Sequence, residues 1–420
     1  MGDLVIKRDL YLNRLIEAKD NSLIKVITGI RRCGKSFLLF ELYYEYLLSI
    51  GIKKENILRV ALDDRKNINL LNADNLESFI EEKTTNKNNY YIFLDEIQMV
   101  EGFEGVLNGL NKQKNLDIYV TGSNSRFLSS DILTEFRGRG DEIRVYPLSF
   151  REYVSVYPGS KEEAWKQYFT YGGLPQILSF SSVEKKSNYL SNLFEKVYIA
   201  DIVDRNNLSK DEVLEAIINI LASSVGSLTN TKKIADTFVS KGIKGVSNNT
   251  ISSYINYLVD AFLIKKAERY DVKGKQYISI PVKYYFTDIG LRNARLNFRQ
   301  QEENHIMENI IYNELLVRGF NVDVGMVEHQ VVDENGKKIR KQLEVDFVCN
   351  QGSKRYYVQS AFAIPNNEKM EQEQNALVRI KDSFKKIIVV KDNINLWRNE
   401  QGIVIMGIQE FLLNPGSLDL

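Results

Sequence analysis

The chain has 420 residues, and its 56 Lys and Arg against 55 Asp and Glu leave a formal net charge of +1. That near-neutral balance argues against a protein governed by bulk attraction to nucleic acid or to an anionic membrane, and the length exceeds what one hydrophobic core usually serves, so two or three domains are expected. No long uncharged apolar run occurs, residues 1–20 lack a signal-peptide core, and Cys33 and Cys349 offer neither a disulfide framework nor a cysteine zinc site, so a cytosolic protein with no membrane partner is expected.

The first strong signal is a strand-like run, LIKVIT (residues 23–28), followed by Gly29, Ile30, Arg31, Arg32, Cys33, Gly34, Lys35, Ser36 and then the helix-like SFLLFELYYEYLL, which includes Phe37. This is G-x-x-x-x-G-K-[ST] in a strand-loop-helix setting. Glycines let backbone N–H groups turn onto phosphates, Lys35 reaches the outer phosphates, the Ser36 hydroxyl binds Mg²⁺, and the helix start favours an anion. Residues 29–37 are thus expected to bind ATP.

A strand follows at NILRVALDD (56–64), and another at NYYIFLDEIQ (89–98), which ends in Asp95 and Glu96. An apolar run of this kind suits a parallel strand buried on both faces, and ligands sit at the C-terminal edge of such sheets. Asp95 is expected to anchor the Mg²⁺ and Glu96 to polarise the attacking water. A strand lying between the phosphate-loop strand and the Asp-Glu strand is the arrangement of P-loop ATPases with an additional catalytic Glu. DIYVTGSNSRFL (117–128) reads as a further buried strand ending in Thr121, Ser123 and Asn124, where a γ-phosphate sensor or a simple polar turn both suit the residues. EFRGRG (135–140) and the strand DEIRVYPLSF (141–150) complete this part.

Together GIRRCGKS, FLDEIQ, TGSN, FRGRG and YPLSFREY resemble the bacterial AAA-type ATPases whose C-terminal half is a domain of unknown function. The resemblance implies an α/β P-loop NTPase fold over 1–150 and a helical lid over 151–205. It makes Arg137 or Arg139 a candidate arginine finger or nucleotide sensor, with a homo-oligomer as one consequence. It also likens YGGLPQI (171–177) to a Gly-x-Pro motif near the adenine, with Pro175 over the base; a helix-helix turn explains the same residues.

From 206 to 292 short amphipathic helices appear, one capped by Asn230, the next by Ser247 with Ile251, Ile255, Leu258 and Phe262 inward, before a hairpin around DVKGKQ. This order is that of a winged helix. Its second helix offers Asn248, Asn249, Ser252, Ser253 and Asn256 but no cation, while Lys241, Lys244, Lys265, Lys266, Arg269, Lys273 and Lys275 cluster at the turn and wing, leaving DNA or a protein as the partner.

Over 293–420, a helix HIMENIIYNELLVRG and two strands, RKQLEVDFVCN and KRYYVQSAFAI, resemble the PD-(D/E)xK nuclease fold. The resemblance implies Glu308 and Asp346 as metal ligands and Gln359 at the third position. The expected Lys is replaced by Ala361, which supplies neither charge nor proton, so a scaffold without cleavage is expected. A P-loop kinase, a slow ATP-dependent switch and an ATP-gated nuclease are the rivals to an ATPase that hydrolyses ATP to ADP and phosphate.

Overall fold

The computed structural model describes residues 5–122, 138–208, 212–240, 246–299, 302–332 and 336–420. The chain divides into two compact units: unit 1 comprises Met1–Leu148, Leu174–Ser179 and Asp260–Phe262, and unit 2 comprises Ser149–Gly173, Phe180–Val259 and Leu263–Leu420.

Unit 1 is an α/β layer structure. Helix α1 (Asp9–Ala18) precedes strand β1 (Ile24–Thr28). After the Gly-bounded loop, α2 (Lys35–Phe37) passes through a π turn (Leu38–Tyr43) into α3 (Tyr44–Ser49). Then follow β2 (Ile57–Ala61), α4 (Ala73–Lys83), β3 (Tyr90–Asp95), α5 (Phe103–Leu110), β4 (Leu116–Gly122) and β5 (Gly140–Arg144). The five strands are all parallel, in the order β2-β3-β4-β1-β5. Every residue of β1, β3 and β4 is buried, the signature of strands covered on both faces.

One face packs Val26, Ile92, Leu94, Ile118 and Val120 against Leu76, Ile80, Val106 and Leu107 of α4 and α5. The other is aromatic: the Phe93 and Tyr119 rings meet edge-on at 5.4 Å, and Tyr43 lies 5.0 Å from Tyr119. A buried polar chain runs through this layer. The Tyr43 and Tyr119 hydroxyls share a 2.6 Å hydrogen bond, Tyr119 donates to Asp117, and the Lys25 ammonium pairs with the same carboxylate. Burying Lys25 in an interior strand is tolerable because its ammonium pairs with Asp117 of β4 and donates to the Leu23 carbonyl at 2.9 Å.

The strand at 57–61, expected between the phosphate-loop and Asp-Glu strands, lies between them only in sequence. In space it is the edge strand, and β4 is the one inserted between β1 and β3. Parallel strands are joined by crossovers that can return on either side of a neighbour, so chain order does not dictate sheet order.

Unit 2 begins with helices α6 (Phe150–Val156), α7 (Lys161–Tyr171), α8 (Val183–Leu193), α9 (Ala200–Arg205) and α10 (Glu212–Ser223). Ser149 with Glu152, and Ser160 with Glu163, form capping boxes that fix the starts of α6 and α7. Helices α11 (Thr231–Ser240) and α12 (Asn248–Asp260) follow; Asn230 accepts from the Lys232 amide and Ser247 from the Thr250 amide, as their positions before apolar stripes require. Ile251, Ile255 and Leu258 are buried on α12.

Next come β6 (Ile264–Asp271), β7 (Gln276–Phe286), α13 (Ile289–Arg295), α14 (Glu303–Val317), β8 (Asn321–Val332), β9 (Lys338–Gln351), β10 (Lys354–Ala361), α15 (Asn367–Val378), β11 (Lys385–Val390), β12 (Trp397–Arg398), β13 (Val404–Gly407) and α16 (Ile408–Leu413). The β6-β7 hairpin is not a separate wing: β6 pairs in parallel with β8, so one eight-stranded sheet, β12-β13-β11-β10-β9-β8-β6-β7, runs across the expected boundary at 292. β7 is exposed or half-buried over its first six residues and buried over its last five, and nothing in the hairpin specifies which further strand completes the sheet.

Candidate nucleotide site

The Gly-bounded loop leaves the C-terminal end of β1 and is held by its own chain. Gly29 has φ +144°, and a Cβ there would lie 2.1 Å from the Val145 carbonyl oxygen, so only glycine fits between the loop and the strand's neighbour. Gly34, at φ +100°, makes the left-handed turn into α2. The Lys35 side chain is buried and folds back over the loop, its ammonium donating to the Gly29 carbonyl at 2.9 Å and the Ile30 carbonyl at 3.2 Å. Arg32 stands exposed at φ +62°, Arg31 is half-buried, Phe37 is exposed, and Cys33 is fully buried with its thiol 3.4 Å from the Val145 carbonyl.

Sequence reading missed one support of this loop. Arg8, just before α1, is buried and donates to the Cys33 carbonyl at 2.9 Å and the Tyr146 carbonyl at 2.6 Å, with its guanidinium over the Tyr11 ring. The Tyr11 hydroxyl in turn accepts the Tyr146 amide. A lone Arg far upstream of the motif carries no local signal of this role; only the pairing of β5 with β1 brings Val145 and Tyr146 to the loop.

The carboxylates lie one strand away, across β4. Asp95 ends β3, buried, and accepts hydrogen bonds from the Ser36 hydroxyl at 3.1 Å and from the Thr121 hydroxyl. Burial raises the Asp95 carboxyl above the ordinary carboxylate range, against the pull of those two donors. Glu96 follows at φ +53°, its amide donating to Thr121 at 3.0 Å and its carboxylate accepting from Gln98. Ser36 and Asp95 are hard oxygen donors within hydrogen-bond distance of each other, a set that suits Mg²⁺ completed by phosphate oxygens and water.

Of the other expected site residues, Pro175 belongs to unit 1, and its ring lies 4.0 Å from where a Gly34 Cβ would stand. Upstream, within unit 2, Asp288 accepts the Gly173 amide at 2.7 Å, and Asn293 donates to the carbonyls of Phe169 and Thr170 at the end of α7. Ser123, Asn124 and Arg137 lie outside the described residues. Arg139 is exposed, and its carbonyl accepts the Ile24 amide at the start of β1. That is the opposite end of the strand from the loop, about 17 Å away at 3.3 Å per residue. Arg139 is therefore no sensor for its own chain's site, a correction to that reading; parallel pairing of β5 with β1 dictates it.

In unit 2, Glu308, Asp346 and Gln359 come together as expected, but so does a residue the sequence did not suggest. The Lys283 ammonium lies 2.8 Å from Glu308, 2.7 Å from Glu344 and 3.8 Å from Asp346.

The sheet order and the Lys35, Ser36, Asp95 cluster at its C-terminal edge give unit 1 the architecture of a P-loop NTPase domain. Residues 21–154 match the family model described as "AAA domain", and residues 162–302 match one described as "Domain of unknown function (DUF8612)". The chain is 36% identical over 395 residues to an uncharacterized protein of Haemophilus influenzae, spanning 93% of this chain and 94% of that one, and it belongs to the same family. An uncharacterized protein of Methanocaldococcus jannaschii is 28% identical over 407 residues, covering 93% and 85%. Among solved structures, a Walker-type ATPase of Pyrococcus abyssi matches with TM-score 0.50 at 15% identity over 70% of this chain and 96% of that one, a likeness of fold alone. Among the described residues no helix is long and apolar enough to cross a membrane.

Proposed function

We propose that the protein hydrolyses ATP to ADP and phosphate with Mg²⁺ and couples the nucleotide state to its C-terminal half. The observation that carries this is the continuous hydrogen-bonded set Ser36, Asp95, Thr121 and Glu96 beside the loop 29–34. In the reading, Lys35 exchanges its two neutral carbonyl acceptors for phosphate oxygens, which are stronger, charge-assisted partners. Ser36 and Asp95 hold Mg²⁺, whose contribution when bound is to neutralise charge on the phosphates. Glu96 orients and deprotonates the attacking water; Thr121 fixes its backbone, and Asn124 or Ser123 senses the γ-phosphate. Pro175 reports occupancy through its position beside Gly34. Arg139, whose backbone lies at the far end of β1 from its own loop, serves as a finger only toward a second copy of the chain. The partner of the C-terminal half is DNA or a protein, contacted through the exposed Lys273 and Lys275 of the hairpin turn.

Phosphate release with Mg²⁺ and no acceptor tests this. Turnover that depends on Lys35 and Glu96 supports it, and absence of ATP binding at saturating Mg²⁺ overturns it.

A further inference from the structure

Lys283 on β7 is 3% exposed, and around it stand Glu308 of α14 and Glu344 and Asp346 of β9. Glu308 and Asp346 have further partners within the protein, while the Glu344 side chain is half-buried. The Glu308 carboxylate accepts the Tyr285 hydroxyl at 2.6 Å, with His305 Nδ1 at 3.8 Å; Asp346 accepts the Ser360 amide at 2.8 Å. Gln359 turns its amide group to the Glu373 carboxylate at 3.2 Å and accepts the Asp346 amide at 3.3 Å, so it offers no anionic ligand. Gly226 lies against the Glu308 carboxylate: a Cβ there would stand 3.1 Å from it. Ala361 is packed in the apolar cluster with Val345, Val348 and Leu377.

We infer that Lys283 occupies the cation position of a nuclease-like centre in unit 2, so that a protein ammonium, and not a divalent metal, holds Glu308, Glu344 and Asp346 together.

Three considerations carry this. First, a divalent ion would need the same oxygens at about 2.0–2.6 Å, which would set it directly against the buried ammonium that those oxygens already hold. Second, an isolated buried ammonium or carboxylate is strongly disfavoured, whereas this arrangement gives the Lys283 ammonium carboxylate partners and uses the acids that would otherwise call for a metal. Burial opposes charge on Lys283, but Glu308, Asp346 and Glu344 outweigh it and hold the ammonium above the ordinary lysine range. Burial likewise opposes charge on Glu308, and Lys283 outweighs it there, while Asp346 is raised by burial and by Glu308. Third, among the described residues no group of three or more His, Cys, Asp or Glu is arranged to hold a metal ion. The cluster therefore ties β7 to α14 and β9 as a fixed strut. The inference does not depend on the ATPase reading.

The test uses the full chain carrying Asp95→Asn, which removes the nucleotide-site metal ligand, without nucleotide. Mn²⁺ binding is followed by electron paramagnetic resonance. With Lys283 intact, no Mn²⁺ site that depends on Asp346 is expected, and linear DNA is left uncut in Mn²⁺. Lys283→Ala should gain a Mn²⁺ site that Asp346→Asn abolishes. A Mn²⁺ site present with Lys283 intact and lost in Asp346→Asn or Glu308→Gln overturns the inference, as does a folded Lys283→Ala protein that binds no Mn²⁺. Should Lys283→Ala fail to fold, the Lys283-intact chain and its Asp346→Asn variant still decide it.

Discussion

Thr121 and Asp95 are joined by a hydrogen bond in which the threonine hydroxyl donates to the carboxylate, and the same hydroxyl accepts the Glu96 amide at 3.0 Å. One side chain on β4 thus holds both the Asp95 carboxylate that ends β3 and the backbone of Glu96 that follows it. Thr121→Val keeps the shape and removes both bonds. A hydrogen bond to a charged group contributes about 1.5–3 kcal/mol, and at roughly 1.4 kcal/mol per decade turnover should fall about tenfold or more. Thr121→Ser should retain most of it. Steady-state phosphate release checks this, and a Thr121→Val enzyme as fast as the parent would show that the hydroxyl orients nothing that matters.

Lys35 and Glu96 should separate binding from chemistry. Lys35→Ala removes the only ammonium in the loop 29–36 and the two bonds that pin its carbonyls, so nucleotide affinity should collapse. Glu96→Gln keeps the hydrogen-bonding shape but not the base. It should bind ATP as the parent does and turn over about 10²–10⁴-fold more slowly, the usual contribution of a positioned general base. Calorimetric titration of a non-hydrolysable analogue, beside single-turnover hydrolysis, distinguishes the two losses.

Much of this site was legible because its residues are contiguous or follow a strand. The phosphate loop announces itself in eight residues, and the apolar run before Asp95 marks a strand end. What stayed hidden depends on pairings distant in sequence. Arg8 reaches Cys33 and Tyr146 only because β5 lies beside β1, and that same pairing carries Arg139 to the wrong end of the sheet for its own site. Glu308 and Asp346 were singled out through a resemblance to the PD-(D/E)xK fold, whereas Lys283 sits in a hairpin whose strand gives no hint that it joins the same sheet. The caps Asn230 and Ser247 were visible because capping is local chemistry.

The two loop glycines should respond differently to alanine. At Gly29 the added Cβ meets the Val145 backbone carbonyl, which cannot move without shifting the strand edge; at Gly34 the nearest atoms are the Arg8 guanidinium at 3.6 Å and the Pro175 ring at 4.0 Å, ordinary contacts. Gly34→Ala therefore incurs chiefly the left-handed backbone penalty, about 1–2 kcal/mol, while Gly29→Ala adds a clash. Thermal unfolding should rank Gly29→Ala well below Gly34→Ala, with nucleotide binding lost in the former. Equal stability of the two would mean that the loop is not held against Val145.

The buried pair of Lys25 and Asp117 lies at the other end of the sheet from the loop, with Asp117 accepting the Tyr119 hydroxyl, which is in turn bonded to the Tyr43 hydroxyl. Lys25→Met leaves Asp117 buried without its cation and should destabilise unit 1 by about 3–5 kcal/mol, whereas Tyr119→Phe, which removes one donor, should cost about 1–3 kcal/mol. Lys25→Met combined with Asp117→Leu removes the charge altogether, and the double variant should be more stable than Lys25→Met alone. Urea unfolding of the parent, Lys25→Met, Asp117→Leu and the double variant measures this coupling. Strict additivity would mean that the two side chains are solvated independently, while recovery in the double variant follows if the cost lies in the stranded carboxylate.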